Sequence, residues 1–369
     1  MIPAAFALTD AAQQGHGVTQ VPLGVTLLFT ALLMAMIVCL ALEEKLHAKK
    51  SVIVGTFAVV ALLLGAAFDL LPFGAILVGG HEIDLPVYVP AIDWNVIAII
   101  LGSSLFVDVT SRSGLFTWIA IKLTKTSGGD PLKLLVYYGV MTVVFSAVLN
   151  NVTAMIIIGS LTGVSLNRLA RSNLLLGFLI VEGLLTNVGG LLTLISSVPN
   201  IIVGTAAGIS SIRFFVVAGP FVLVATLVTL WLGARVFNVR RLVTPEEREQ
   251  AARLVAGFDE RDGIESQGFF WFGAAMLIAF IAVIATTSVL PLIQDLGMGY
   301  VALTFGVIML LRVKAIADKF YQAIDWDLLG FFAALFVVIN VMEHALVLEL
   351  IGKGLAHVIG LGDTLGAGL

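Results

Sequence analysis

The sequence is poor in cysteine and in charge, and each shortage excludes a class of site. Cys39 is the single cysteine among 369 residues, so neither a disulfide within the chain nor a cysteine metal cluster is possible. The HExxH and GxSxG motifs of common zinc and serine hydrolases are also missing. No basic, aromatic stretch indicates a nucleic-acid partner. We therefore predict no catalytic residues, no metal site and no enzyme.

Long apolar runs take the place of the missing charge. Charged residues form 12% of the chain and hydrophobic residues 59%, with a mean hydropathy of +1.08, whereas a soluble domain has about 25% charged residues. Stretches such as ALLMAMIVCLAL do not alternate as β-barrel strands do. The sequence therefore predicts an all-α polytopic membrane protein. The runs near the ~20 residues of a bilayer span are 21–42, 52–72, 95–109, 174–207, 214–234, 268–291 and 296–311.

Basic residues predict the topology, because they favour the cytoplasmic side of a membrane. Lys45, Lys49 and Lys50 follow the first run, which places residues 1–21 outside as an exposed N-terminal tail. The tail lacks the basic start of a signal peptide. By this rule 18 of the 20 Lys and Arg are cytoplasmic. We expect an integral protein of a bacterial inner membrane, with its N-terminus outside.

The segment 132–169 begins near Lys133 and ends at Arg168, so both of its ends are predicted to be cytoplasmic. It carries Asn150 and Asn151 in the middle of an apolar sequence. One interpretation is a re-entrant helical hairpin with the two asparagines at its tip. The other is two complete spans joined by an outside turn. Each arm has about 17 residues, the lower limit for a span, so length does not choose between them.

The stretch VEGLLTNVGGLLTLISSVPNIIVG, residues 181–204, contains paired glycines, paired serines and a proline that strain a continuous helix. Broken backbone at membrane depth must be packed in protein or line a cavity. We predict a helix in two parts with a linker near 188–199. The alternative is a kinked helix whose small residues allow close packing. The polar groups in this stretch are Thr186, Asn187, Thr193, Ser196, Ser197 and Asn200.

Glu182 places a carboxyl group inside the same apolar run. An ionised acid at the bilayer centre costs at least ~2.5 kcal/mol on insertion scales. We therefore expect this group to be neutral, paired or in contact with water. This makes Glu182 a candidate for proton coupling, and the alternative is a hydrogen-bonded structural carboxyl.

The sequence IDW occurs twice, starting at Ile92 and at Ile324, and two apolar runs precede each copy. The charges give the two copies opposite orientations, which is typical of inverted-repeat transporters. The offset of 232 residues would place a second hairpin tip near position 382, so we expect an incomplete second repeat. The predicted domains are a first repeat at 22–238 with the hairpin 132–169 and the broken helix 174–207, a cytoplasmic linker helix at 239–266 and a second repeat at 267–369.

The linker helix is predicted from its start signal. Thr244, Pro245 and Glu247 form a capping box with proline at the first helical position.

Two motifs carry a resemblance to a known family. SAVLNNVTAMIII is similar to the hairpin-tip sequence of the arsenite permease and P protein group. E-x4-N-x-G-G-x2-T-L-I-x3-P-N, from Glu182 to Asn200, resembles the second motif of that group. The group belongs to the ion transporter superfamily, has a citrate transporter-like domain, and is related to divalent anion/sodium symporters. The resemblance covers about 90–355.

The resemblance implies inverted repeats, each with a re-entrant hairpin and a broken transmembrane helix. It also implies a homodimer in membrane lipid, with no cofactor other than Na⁺ or H⁺ as a coupling ion. The substrate and ion site carried over from the family would comprise Asn150, Asn151, Thr153, Asn187, Gly189, Gly190, Thr193, Ser196, Ser197, Pro199 and Asn200.

Two departures from the family pattern affect the expected solute. Asn150 stands where P-type members often have aspartate, and Ser196-Ser197-Val198 replaces Gly-Asp/Thr-Pro. Fewer fixed negative charges favour an anion or a neutral oxyacid over a cation. We expect an alternating-access secondary permease for a small anion or oxyanion such as a carboxylate, sulfate or arsenite-like solute. The alternatives are a passive anion channel on the same fold and a non-transporting membrane scaffold.

Overall fold

The computed structural model describes residues 21–71, 75–78, 81–149, 151–287, 290–291 and 293–361. In this part of the chain the protein is helical apart from one short antiparallel hairpin. The first elements are α1 (Leu23–Ala41), α2 (Glu43–Leu46), α3 (Lys50–Ala67), β1 (Ala75–Val78), β2 (His81–Asp84), α4 (Tyr88–Ala91), α5 (Trp94–Ser111) and α6 (Leu115–Ser127). Those in the middle are α7 (Pro131–Val148), α8 (Asn151–Arg168), α9 (Leu175–Gly190), α10 (Val198–Ala206), α11 (Ser211–Val236) and α12 (Pro245–Ala256). The last are α13 (Gln267–Thr286), α14 (Ile293–Arg312), α15 (Ala317–Ala323), α16 (Trp326–His344) and α17 (Val347–Leu361).

The described residues contain nine helices that are long and apolar enough to cross a membrane. This supports the predicted polytopic membrane protein. The predicted all-α class holds for the described residues apart from one two-stranded hairpin, in which β1 pairs with β2, with Ala75 opposite Asp84. The nine helices are α1, α3, α5, α7, α9 together with the short 3-10 turn before it, α11, α13, α14 and α16.

The chain divides into two compact units that do not coincide with the two predicted repeats. One unit consists of 1–93 and 325–369, and the other of 94–324. In the first unit α16 packs on α3 and α1. In the second unit α5 packs on α14 and α13. Each helix that follows an IDW sequence therefore packs against the two long helices that precede the other IDW sequence.

Backbone contact holds α5 and α14 together in the second unit. A Cβ atom on Gly102 would lie 2.4 Å from the carbonyl carbon of Ala302, so only glycine fits this crossing. α14 is broken at Gly297, whose φ of 77° is in the left-handed region that favours glycine. The Asn95 Oδ1 atom accepts a hydrogen bond from the N–H of Gly299 at 2.8 Å. The side chain of one helix thereby supports the start of the other after its break.

The predicted linker helix is confirmed as α12, with the predicted capping box. The Thr244 side chain accepts from the N–H of Glu247, and the Glu247 carboxylate accepts from the N–H of Thr244. These bonds satisfy N–H groups that the first turn of a helix leaves without partners. Arg168 of α8 forms an ion pair at 3.1 Å with Asp262, which follows α12. The linker is therefore attached to the second unit.

Candidate functional site

A helical hairpin and a broken helix meet in the second unit. α7 ends at Val148 and α8 begins at Asn151; the two helices pack on each other as the arms of a hairpin, and both pack on α9. α9 ends at Gly190 and α10 begins at Val198, so the predicted two-part helix is confirmed, with its break at 191–197. Each hairpin arm has 18 residues, which is about 27 Å of helix. We call the contact between the hairpin tip and the break the tip–break site.

Two of the predicted asparagines meet directly at this site. Asn151 begins α8, and Asn187 lies in the last turn of α9. The Asn151 Nδ2 atom donates to the Asn187 Oδ1 atom at 3.5 Å. Asn187 also donates from Nδ2 to the Gly183 carbonyl at 3.1 Å. Asn187 is exposed and Asn151 is half-buried, so both amides keep hydrogen-bonding capacity for a solute.

The two glycines at the end of α9 allow the hairpin tip to approach. A Cβ atom on Gly190 would lie 2.5 Å from the Asn151 Oδ1 atom. A Cβ atom on Gly189 would lie 2.6 Å from the carbonyl oxygen of Val143 in α7. Real Cβ atoms do not approach other heavy atoms so closely. The main chain of α7 therefore leaves room only for glycine at position 189, whereas a Cβ atom at position 190 would displace the Asn151 amide.

Hydrogen bonds to main-chain carbonyls connect the tip to the break. The Thr193 hydroxyl donates to the Ala147 carbonyl. The Ser146 hydroxyl lies 2.5 Å from the Thr186 carbonyl oxygen and 2.9 Å from the Asn151 Oδ1 atom. A hydroxyl has one proton to donate, so Ser146 shares it between these acceptors. Ser146 couples α7, α8 and α9 at a single point.

Ser196 and Asn200 stabilise the break from inside. The Asn200 Nδ2 group donates to the carbonyls of Gly190 and Thr193 at 2.8 and 2.9 Å. The Ser196 hydroxyl is 2.7 and 3.1 Å from the same two oxygens. Both side chains are buried. Their donor groups are used in closing the loop between α9 and α10.

The remaining predicted site residues are less closely connected. Thr153 and Ser197 are half-buried, and Pro199 is exposed in the first turn of α10. In the described part of the chain no side-chain hydrogen bond joins Ser197 or Pro199 to Asn151 or Asn187. Asn150 lies outside the described residues. Of the predicted set, the structure brings together Asn151, Asn187, Gly189, Gly190 and Thr193, with Ser196 and Asn200 behind them.

Glu182 lies deeper in α9 and is fully buried. Its Oε1 atom accepts a hydrogen bond from the Thr162 hydroxyl of α8 at 2.6 Å. Its Oε2 atom has no hydrogen-bond partner in the described part of the chain. Four residues further along α9, Thr186 donates to the Glu182 carbonyl at 2.8 Å. The carboxyl group is thus one turn below the tip–break site, with one of its oxygens unsatisfied.

A second buried polar cluster lies one turn along α8 from Thr162. The Tyr138 hydroxyl is 2.7 Å from the Ser165 hydroxyl and 3.0 Å from the Thr124 hydroxyl. The Thr124 hydroxyl also donates to the Ala120 carbonyl at 2.9 Å. Thr162 and Ser165 are three positions apart on α8, and therefore on one face of the helix. Hydroxyl groups thus continue along the hairpin interior beyond Glu182.

Sequence reasoning did not single out Ser146 or Thr162 as site residues. Ser146 precedes Asn151 by five positions, and Thr162 lies 20 positions before its partner Glu182. An unpaired carboxyl in an apolar run does signal a hidden donor, but it does not say which hydroxyl supplies it. Three or more His, Cys, Asp or Glu side chains do not cluster as a metal site anywhere in the described chain.

A polytopic helical membrane protein in which a hairpin tip contacts a helix break has the architecture of a solute transporter. The family model described as "Citrate transporter" (CitMHS) matches residues 4–368. The chain therefore belongs to the citrate transporter family. This is consistent with the resemblance to the ion transporter superfamily that its two motifs indicate.

Curated relatives give the same class of protein. An uncharacterized transporter of Mycobacterium tuberculosis is 30% identical over 297 residues, which are 80% of this chain and 66% of the relative. The "46 kDa membrane protein" of Mycobacterium leprae is 29% identical over 273 residues, 73% of this chain and 60% of the relative. Human P protein is 24% identical and matches 86% of this chain and 46% of its own length.

The relatives also bear on the class of function. The matching family and the Mycobacterium tuberculosis relative are described as transporters and not as enzymes, as the missing catalytic motifs predict. The chain spans less than two thirds of the length of the bacterial relatives that it matches.

Proposed function

We propose that this chain is a secondary active permease for a small anion or oxyanion, with carboxylates such as citrate as the first candidates. The observation that carries the proposal is the contact of the hairpin tip with the helix break at Asn151, Asn187 and Gly190. The description of the matching family favours a carboxylate. Sulfate and arsenite-like solutes are the further candidates.

The chemistry of the tip–break site favours an anion. α8 and α10 both begin there, and the N-terminus of a helix presents free N–H groups and a partial positive charge. The carbonyls of Gly190 and Thr193, which could bind a cation, already accept hydrogen bonds from Ser196 and Asn200. The helix N-termini and the engaged carbonyls therefore favour an anion over a cation at this site.

Coupling to H⁺ is the version that we favour over coupling to Na⁺. Glu182 is fully buried, one turn from the site, and has one oxygen without a partner. A buried charge without compensation is costly, so a proton or another cation must accompany this group when the site is closed. Exchange of that proton with water would link the state of Glu182 to transport.

We further propose an inverted-repeat organisation in which α7 and α8 form a re-entrant hairpin. Support comes from the two IDW sequences. Asn95 accepts a hydrogen bond from the N–H of Gly299 in one unit, and Asp327 accepts one from the N–H of Ser51 in the other. These acceptors occupy the same position after IDW. A homodimer in a bacterial inner membrane, with the N-terminus outside, completes the proposal.

Uptake into proteoliposomes tests the proposed function. We expect saturable uptake of citrate or of another candidate anion named above. We expect N151A and N187A to lose at least tenfold in uptake rate while keeping their expression level and melting temperature. N167A is the matched control, because Asn167 is an exposed asparagine at the far end of α8. Full uptake by N151A would contradict the site assignment.

The same measurement separates the alternatives. Uptake that does not saturate and does not respond to an ion gradient would indicate a passive channel. The solutes to be compared are sodium, protons, sulfate, citrate, dicarboxylates, arsenite and chloride. A non-transporting scaffold is favoured if none of them shifts the melting temperature and none is taken up.

A further inference from the structure

A groove between α7 and α11 combines an apolar wall with a basic rim. Its volume is about 840 Å³, which is the size of a small-molecule site. Leu227, Leu230 and Trp231 of α11 and Val136 of α7 line the apolar part. Both helices belong to the candidate membrane spans. The groove is separate from the tip–break site, because it lies at the opposite ends of α7 and of the hairpin.

Four cations form the rim of the groove. They are Lys133 at the start of α7, Arg235 in the last turn of α11, and Arg240 and Arg241 in the segment that follows. Among the described residues, none of those that line the groove is acidic. The positive-inside rule places this end of the helices at the cytoplasmic surface.

Buried contacts hold the basic segment over the groove. The Asp130 carboxylate accepts from the N–H of Lys133 at 3.0 Å and from the N–H of Leu242 at 3.2 Å. Leu242 and Val239, on either side of the two arginines, are both buried. Arg240 and Arg241 are therefore attached to the start of α7 by the backbone and do not belong to a free loop.

The four cations are not neutralised by the protein. Elsewhere in this unit Lys122 and Lys125 pair with Glu260, and Arg168 pairs with Asp262. In the described part of the chain no ion pair involves the four rim cations. Arg235 instead stacks on the ring of Trp231, with the guanidinium carbon 4.6 Å from the ring centroid.

The apolar wall identifies the occupant as a lipid and not a soluble anion. Leu227 is 59% exposed and Trp231 is 54% exposed, along a helix that is 26 residues long and apolar. These side chains would face acyl chains in a membrane, whereas the basic rim would face headgroups. Basic pockets between helices on the cytoplasmic side are suited to anionic headgroups, and tryptophan is enriched at this depth.

We propose that this groove is a binding site for an anionic phospholipid of the cytoplasmic leaflet. The phosphate contacts Arg240, Arg241 and Lys133, and the first part of the acyl chains lies against Leu227 and Trp231. The site does not depend on which solute the protein transports.

Native mass spectrometry of the delipidated protein with added lipid tests the proposal. The probes are dioleoyl phosphatidylglycerol and, with the same acyl chains, dioleoyl phosphatidylcholine. We expect at least tenfold preference for phosphatidylglycerol. A cation near a membrane surface contributes about fivefold in binding, so R240Q/R241Q should lose about thirtyfold. K314Q/K319Q is the matched control, because it removes two exposed cations of the same unit that lie outside the groove.

Two further measurements distinguish lipid from a soluble anion. W231A keeps all four charges and removes the apolar wall, so we expect weaker lipid retention with an unchanged melting temperature. Glycerol phosphate at millimolar concentration should not displace the lipid. The proposal is overturned if R240Q/R241Q retains phosphatidylglycerol like the control, if the two lipids bind equally, or if glycerol phosphate displaces the lipid.

Discussion

The Thr162 hydroxyl donates to one oxygen of the buried Glu182 carboxyl at 2.6 Å, and the other oxygen has no partner in the described residues. A carboxylate with an unsatisfied oxygen is costly in a medium without water. A proton on that oxygen removes the charge and leaves the Thr162 bond intact. A neutral carboxyl therefore fits this site better than a carboxylate, which is what the proposed proton coupling requires.

E182Q tests this role directly. Glutamine keeps an oxygen that accepts from the Thr162 hydroxyl, but its amide group does not ionise. We expect E182Q to fold and to bind solute, but to lose at least tenfold in uptake driven by a pH gradient, measured in proteoliposomes. E249Q, a change at an exposed carboxylate of α12, should behave as the unchanged protein. An intact response to the pH gradient in E182Q would exclude Glu182 as the proton carrier.

The glycines of α9 provide a second test, with a control on the same helix. A Cβ atom on Gly189 or Gly190 meets the hairpin tip, whereas one on Gly183 meets no other atom within 4 Å. We expect G190A to displace the Asn151 side chain and G189A to push α7 away, each lowering solute affinity by tenfold or more. G183A should bind normally and gain up to about 1 kcal/mol in helix stability. Equal affinities for G183A and G190A would contradict the described contact.

The close crossing of α5 and α14 predicts that a side chain at position 102 strongly lowers the stability of the protein. A methyl group at position 102 would overlap the main chain of Ala302, and overpacking costs about 1–3 kcal/mol or more. We expect G102A to lower the melting temperature by several degrees and to reduce the folded yield in detergent. G55A, in α3, places its methyl group in open space and should not. Equal melting temperatures for G102A and G55A would contradict the close contact between α5 and α14.

The capping box of α12 gives a test outside the membrane. Backbone N–H donation from Thr244, and next from Val243, lowers the pKa of Glu247. T244A should speed hydrogen exchange at the Glu247 N–H about fivefold, the equivalent of the ~1 kcal/mol of a typical N-cap. T244S should restore protection, because serine keeps the hydroxyl. No acceleration in T244A would mean that tertiary contacts alone hold this helix.

The sign of the pH effect at Glu247 follows from its lowered pKa. A carboxylate whose pKa is lower in the folded state contributes stability above its unfolded pKa, and that stability is lost as the pH falls through the folded value. The start of α12 should therefore fray in acid, below about pH 4.5.

Amides and paired glycines are conspicuous in apolar helices, so Asn151, Asn187 and Gly190 stand out in the sequence, and so does the helix break. The prediction that these residues form one site came from the family resemblance. The hydrogen bonds from Asn200 to the carbonyls of Gly190 and Thr193 were not predicted, because the composition of a loop does not reveal which carbonyls an amide bonds. Ser146 was missed for the same reason, since a single hydroxyl in a helix usually bonds its own backbone.

Local sequence does not encode which helices pack together in the folded protein. The two IDW copies indicate a repeat, but not that the helix after each copy packs on the helices that precede the other copy. This packing depends on contacts between residues more than 200 positions apart, such as the hydrogen bond that the Gly299 N–H donates to the Asn95 Oδ1 atom. The β1–β2 hairpin was also missed, because its short apolar strand resembles the end of the preceding span.

The residue after each IDW sequence supplies a helix cap to a distant helix, and this leads to a last prediction. α3 has no cap from its own N-terminal residues. Asp327 supplies one, because its Oδ1 atom accepts from the Ser51 hydroxyl at 2.5 Å and from the Ser51 N–H at 3.2 Å. Asparagine is as good an N-cap acceptor as aspartate, whereas loss of a cap costs about 0.5–2 kcal/mol.

We therefore expect D327A to speed hydrogen exchange in the first turn of α3 by about 2- to 30-fold, and D327N to leave most of the protection. D318A, at an exposed acid of α15, should change nothing. N95A should show the equivalent effect at Gly299 in α14, because a broken helix needs an acceptor at its restart. If D327A exposes α3 and N95A leaves α14 protected, the two IDW helices do not play equivalent roles and the repeat proposal loses its structural support.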